Sequence, residues 1–404
     1  IGRAAKLVKE GFRGEIISTK PTRDITKIML LDSAKILEEE YKTLRKKARR
    51  HGDEASVAEP LYTEEHVEQL FRKTWHTLEY FEQHKLRQKI TVTLGNAGHI
   101  MGSAFVMIDC REEGTAKRIV FSGDLGSPHR LIIDSADTVE EADALFVEST
   151  YGDRNHKPLQ ESIGEFKAAV VSTLERGGNV LIPSFALERT QEVLWLLHEM
   201  FEEQKLPKSR VFLDSPLAIK ATELYNKYPV HLSDEVELQA FGGQNPFSFP
   251  YLELTPGREQ SMAINSVEER AIIIAGSGMC NGGRIMHHLK HRLWNPANSV
   301  IFVGFQAEGT LGRSLVDGAD FVGIYGEEII VRSEIHTING FSAHADQGDL
   351  IDWMRAFKRL GRICLIHGEP EKMERFAAVI EAALQKDAHI MEFGVAVDVW
   401  QEER

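Results

Sequence analysis

Apolar and polar positions change their rhythm along this chain. Residues 1–90 are mostly polar, with helical spacing. IGRAAKLVKEGFRG reads as an amphipathic helix ending at a glycine, and Ser33–Arg50 as a charged helix whose basic end, LRKKARRHG, suits a helix C-terminus. A loop rich in Glu, Asp and Ala then leads to a second predicted helix, Thr63–His84. Strand patterns follow at Lys89–Thr93, Phe105–Asp109, Arg118–Ser122 and Ala144–Glu148, a meander with mostly short turns. From about residue 160, helical stretches alternate with short, wholly apolar runs. Leu159–Arg176 precedes NVLIP, Thr190–Gln204 precedes RVFLD, and AIIIAG and SVIFVGF come later. Such alternation predicts a parallel sheet covered by helices. After about 325 a strand-rich stretch, EEIIVRSEIHTI, returns, followed by helix, strand, helix and strand. The pattern predicts an α/β protein in three parts, 1–160, 161–325 and 326–404, with the middle part inserted into a domain made by the other two.

Composition narrows the function classes. The 404 residues carry a net charge of −13, which argues against a broad basic surface for non-specific nucleic-acid binding but leaves room for a local groove. Cys110, Cys280 and Cys364 are odd in number and far apart. They fit neither a disulfide framework nor a cysteine zinc site, and they suit a reducing cytoplasm. No apolar run approaches 18 residues, so no membrane span is expected.

Six segments share one design, an apolar run ending in a glycine-flanked turn: AGHIMGSA, FSGDLG, VESTYGDR, GSGMCNGG, FSAHAD and LIHGEP. Five of them carry an ionisable residue at the turn: His99, Asp124, Glu148, His344 and His367. Side chains at strand ends are rigidly aimed, and in an α/β fold such ends meet at one sheet edge. His99, Asp124 and His367 are sensible zinc ligands, since zinc accepts imidazole nitrogen and carboxylate oxygen. His344 could be a ligand or a general acid, and Glu148 could orient a histidine. Asp346 can cap the helix that follows His344. In the glycine-rich GSGMCNGGRIMHHLKHRL, Ser277 and Gly278 could cradle a phosphodiester, with His287, His288, Lys290, His291 and Arg292 adding local positive charge. Gln306, Thr310 and Arg313 in GFQAEGTLGR are a polar set suited to phosphate and sugar contacts. The other histidines, His76, His84, His129 and His156 among them, lack the strand-end setting and read as structural or exposed.

In this order the motifs resemble the metallo-β-lactamase superfamily, and more narrowly its β-CASP nucleases. AGHIMGSA and FSGDLG are similar to the family's third and fourth metal motifs, and ESTYGDR, FSAHAD and LIHGE to its motifs A, B and C. PSFALERTQE and GSGMCNGGR resemble the inserted β-CASP domain. The resemblance implies a metallo-β-lactamase αββα sandwich with an inserted parallel-sheet α/β domain. It also implies a binuclear zinc hydrolase acting on single-stranded RNA and cleaving it endonucleolytically, with a homodimer as a further expectation. His99, Asp124 and His367 would be the ligands, and His344 would protonate the leaving oxygen with support from Glu148. Arg189 and Ser342, within the matched motifs, join Ser277, Gly278, Gln306, Thr310 and Arg313 on the substrate side. Two other readings stand beside this one: an inactive RNA-binding scaffold of the same family, and a small-molecule ester or thioester hydrolase. The family's H-x-H-x-D-H motif is not in the sequence, and IGRAAKLVKEGF resembles the segment that follows it. The chain is therefore expected to start just after that motif. Alone, it is expected to hold zinc weakly or not at all and to have little nuclease activity.

Overall fold

A computed structural model describes residues 1–51, 57–128 and 130–400. The chain opens with a short helix, Ala4–Lys9, and strand β1 (Ile16–Ser18). Thr19 then caps a 31-residue helix, Lys20–Arg50, which starts well before the predicted Ser33. Much of the acidic loop that follows lies outside the described residues. The predicted helix Thr63–His84 is not formed as one element. Helix Glu64–Phe71 stops after two turns, and β2 (Trp75–Thr77) and β3 (Gln83–Arg87) take the rest. Trp75 and Thr77 are β-prone, and pairing with β1 decides their state.

The first large sheet contains β3, β4 (Ile90–Asn96), β5 (Ala104–Glu112), β6 (Thr115–Phe121) and β7 (Glu141–Glu148). The meander holds for β3 to β6, which pair antiparallel, but β6 and β7 pair parallel. The alternating block supplies β8 (Val180–Pro183), β9 (Arg210–Leu213), β10 (Leu252–Leu254), β11 (Ala271–Ala275) and β12 (Ser299–Phe302). These make a parallel sheet. All five residues of β11 are buried, as a strand covered on both faces requires. Of EEIIVRSEIHTI, expected with the later part of the chain, β14 (Glu327–Ile330) pairs with β13 (Phe321–Ile324), and β15 (Glu334–Thr337) joins the parallel sheet beside β12. The first sheet is completed by β16 (Arg359–Ile366), which lies between β7 and β17 (Ala388–Ile390). The two sheet orders are thus β17-β16-β7-β6-β5-β4-β3 and β10-β9-β11-β8-β12-β15.

Each sheet has its own core. Phe105, Leu145, Leu365 and Phe376 belong to one, and Ile182, Trp195, Leu213 and Ile274 to another. Among the described residues, no helix is long and apolar enough to cross a membrane.

The pairing fixes where chemistry can gather. Strands β4 and β6 both run antiparallel to β5, while β6, β7 and β16 are parallel. The four strands β4, β6, β7 and β16 therefore run the same way, and their C-terminal ends share one edge.

Candidate metal centre

Every strand-end residue singled out in the sequence reaches that edge. His99 follows β4, Asp124 follows β6, Glu148 ends β7, and His367 follows β16. His344 arrives from the loop ahead of helix Gln347–Arg355, where Asp346 accepts the Asp349 N–H as a true N-cap. Two groups of donors result, His99–Asp124–His344 and Asp124–Glu148–His367, each with ligand atoms within 4.8 Å of one another and with Asp124 in both.

Glycines permit the close approach of these loops. Gly98 and Gly102 have φ of +63° and +78° around His99. Gly126 presses backbone against backbone, its N–H donating to the Ala97 carbonyl at 2.8 Å. A Cβ at Gly126 would stand 1.7 Å from the Gly98 carbonyl oxygen. Gly126→Ala is thus expected to cost at least about 1–3 kcal/mol and to displace the His99 turn, seen as a lower urea midpoint and shifted His99 resonances. Gly126 also bridges to His344, and the Ala345 N–H donates to the Leu125 carbonyl at 2.7 Å.

Electrostatics separates the roles. His99 is largely buried, and its pKa falls to about 3, first through desolvation and then through His344. Its Nδ1 lies 3.2 Å from the Ala343 carbonyl, so Nδ1 carries the proton and Nε2 faces Asp124 at 3.9 Å. Asp124 is held down at about 2, chiefly by the His367 hydrogen bond, with Nδ1 to Oδ1 at 3.0 Å. His367 is raised in turn by Asp124. A neutral His99 and an ionised Asp124 are the states a metal needs, whereas His367 must give up the proton it shares with Asp124 to join them.

Glu148 is fully buried and saturated. It accepts the Leu125 N–H at 2.6 Å, and both its oxygens lie about 3.0–3.1 Å from His344 Nδ1. A carboxylate so occupied orients His344 and leaves the opposite ring nitrogen, Nε2, toward the cleft. His156, read as structural in the sequence, meets the His344 carbonyl through Nε2 at 3.2 Å and donates its backbone N–H to Asp346. Nothing in its sequence setting points to that duty. His129 lies outside the described residues.

The substrate-side candidates divide. A cleft of about 340 Å³ joins His99 and His344 to Ser342, Arg189 and Met279. A neighbouring one of about 490 Å³ is lined by Gln306, Arg313 and Ser342. Arg189 lines the first but is only 6% exposed and ion-paired with Glu192, so it is not a free cation for phosphate. Gln306 spends its amide on the Gly278 and Gly304 carbonyls. Thr310 caps helix Leu311–Val316, and Arg313 pairs with Asp317. The Ser277 hydroxyl closes its own loop through Asn281 and Gly282, and Gly278 lies under the Phe185 ring. Ser277, Thr310 and Arg313 are thus engaged within the chain, while Gln306 Oε1 and Arg189 Nη2 have no hydrogen-bond partner. Three of the five basic residues expected on helix Ile285–Arg292 are turned inward or paired. His288 is buried on Asp214 at 2.7 Å, Arg292 is buried against the Ile264 carbonyl, and Lys290 pairs with Glu327.

Burial would raise Asp214, but hydrogen bonds from His288, Ser261, Arg284 and Thr255 overcome it and hold the carboxyl at about 2. A carboxyl depressed in the folded state stabilises above its unfolded pKa and loses that contribution as pH falls through the folded value. Asp214→Asn is expected to flatten the stability–pH curve between about pH 4 and 2, followed by urea midpoints across that range.

The sequence reading missed the aromatic rims. Phe185 and Phe305, 40% and 50% exposed, line the first cleft with Tyr151. Each stands next to a quoted turn, PSFALE or GFQAEG, but aromaticity at a strand end looks like core until exposure is known.

A two-sheet α/β architecture, an aspartate common to two donor groups, and a buried Glu–His pair at the shared strand edge define a metal-dependent hydrolase of the metallo-β-lactamase fold with an inserted β-CASP domain. The chain belongs to the β-CASP ribonuclease family of that superfamily. Residues 190–315 match the Beta-Casp domain, and residues 328–391 match the Zn-dependent metallo-hydrolase RNA specificity domain. The chain is similar to Ribonuclease TTHA0252 of Thermus thermophilus, 36% identical over 399 residues, covering 99% of this chain and 85% of that protein. Transcription termination factor FttA of Pyrococcus abyssi is 34% identical over 371 residues, 89% of this chain and 54% of that one, so the chain spans about half the length of that relative. An RNase J-like protein of Methanocaldococcus jannaschii is 32% identical over 327 residues, 80% and 74%.

Proposed function

We propose that this chain carries part of the centre of a zinc-dependent ribonuclease that hydrolyses phosphodiester bonds within single-stranded RNA. The observation that supports it most is the pairing of buried Glu148 with His344 beside Asp124, which lies among His99, His344 and His367. His99, Asp124 and His367 would hold metal. His99 fits, because the Ala343 carbonyl fixes its tautomer and leaves Nε2 as the donor. Zinc bound there would polarise the phosphate and lower the pKa of water.

The protein's own residues do the remaining work. Glu148 keeps the proton on His344 Nδ1 and steadies the positive charge when the ring is doubly protonated. His344 Nε2 then delivers a proton to the departing oxygen. Phe185, Phe305 and Tyr151 offer ring faces for stacking unpaired bases, which suits single strands over duplex.

Three ligands shared between two metal positions make a sparse set. At this edge the chain alone is expected to hold well below one zinc after dialysis, so the His99 and His367 imidazole resonances should stay in place when a single equivalent of zinc is added. Full zinc occupancy of these residues would overturn that expectation. The activity reading is tested on single-stranded RNA, with an H-x-H-x-D-H segment supplied ahead of Ile1 and with or without chelator. Chelator-sensitive cleavage supports it, and RNA binding without cleavage favours the scaffold reading.

A further inference from the structure

A second set of metal-type donors converges where the β1–β2 pair meets β3. Glu15, His76 and His84 each place a ligand atom within 4.8 Å of the other two. Glu15 immediately precedes β1, His76 is the middle residue of β2, and His84 lies on β3. His76 Nε2 is 3.3 Å from Glu15 Oε2, and the two imidazole rings are 4.6 Å apart and tilted by 39°. That Nε2 is shut off from solvent and makes no hydrogen bond of good geometry. A sheltered imidazole nitrogen without a hydrogen bond is unfavourable, and donation of its lone pair to a cation relieves this. The Glu15 side chain is half exposed, which gives an ion a way in and leaves coordination positions for water.

We propose that Glu15, His76 and His84 form a second metal site, for a divalent ion of the zinc class. Two imidazole nitrogens and one carboxylate oxygen are a borderline donor set, suited to zinc or cobalt rather than to calcium or magnesium. The site shares no residue with the His99–Asp124–His367 group and does not depend on the ribonuclease reading. Its role is to tie together three strands from two sheets: the end of the chain segment entering β1, its partner β2, and β3 at the edge of the seven-stranded sheet. Strand β3 is otherwise exposed at four of its five positions, and His84 is the half-buried one. A cation held there pins a sheet edge that few side chains cover.

The test uses the whole chain stripped by chelator, with H99A, D124A and H367A combined to remove the first centre. Cobalt(II) titration of this variant is expected to show one bound equivalent with visible ligand-field absorption. Adding H76A and H84A is expected to abolish it, and E15Q to weaken it at least about 10-fold. Absence of binding while circular dichroism reports a folded chain overturns the proposal, as does binding that survives H76A and H84A unchanged. If the triple variant does not fold, the unsubstituted chain is used instead. There the imidazole resonances of His76 and His84, assigned with H76Q and H84Q, are expected to move on zinc addition. Resonances that stay in place at saturating zinc overturn the proposal.

Discussion

Replacing Arg130 with methionine is expected to destabilise the protein by about 3–5 kcal/mol, the range for removing one partner of a buried ion pair. The Arg130 side chain is 4% exposed. It pairs with Glu192 at 2.7 Å and Glu188 at 3.6 Å, and it donates to the Ser342 carbonyl at 2.5 Å. It comes from the loop after β6, whereas Glu188 and Glu192 open helix Arg189–Glu202 of the inserted block. One guanidinium therefore joins both layers and steadies the loop that carries His344. Without it, two buried carboxylates share Arg189 alone. Burial already pushes the Glu188 carboxyl up, and Tyr225 donates to it at 2.6 Å. The variant should relieve the imbalance by protonating Glu188, so its deficit should shrink as pH falls. Urea denaturation at pH 5 and pH 8 checks both the size and the sign. Glu192→Gln in the same chain should recover part of the loss. A deficit under about 1 kcal/mol would mean that the network is not held by Arg130.

His344→Ala is expected to lower the cleavage rate on single-stranded RNA by about 10²–10⁴-fold, the usual contribution of a positioned acid. The measurement uses the chain supplied with an H-x-H-x-D-H segment. RNA binding should change little, because the cleft walls and Asp124 remain. Glu148→Gln should slow cleavage as well, but through His344, since Gln can accept from Nδ1 without stabilising the imidazolium. The pH–rate profile should therefore move in the glutamine variant and lose one limb in the alanine variant. Equal loss of binding and cleavage would assign His344 to substrate contact instead.

Much of this site could be read from the sequence because its elements are strand ends. A short apolar run that ends at an ionisable residue beside a glycine has few structural readings; His99, Asp124 and His367 follow that rule, and Glu148 ends its strand four residues before Gly152. What escaped depends on tertiary partners. Trp75–Thr77 and the first two residues of β3, Gln83 and His84, looked helical as one polar stretch, and pairing with β1 and β4 decided otherwise. Arg189 and Gln306 looked like free polar contacts, yet Glu192 and two carbonyls already hold them. Arg130 gave no signal, because its partners lie some 60 and 210 residues further along the chain. His76 and His84 became notable only when Glu15 was seen beside them.

The place of β16 in the sheet has a consequence for biosynthesis. The Ser149 hydroxyl bonds the Ile366 carbonyl across 217 residues, and β16 is the strand that seals β7. A ribosome must therefore release nearly the whole inserted block before the first sheet can close. The parallel sheet, whose strands β8 to β12 lie within that interval, is free to condense first. Until β16 arrives, the backbone edge of β7 has no neighbour on that side and is open to pairing with another chain.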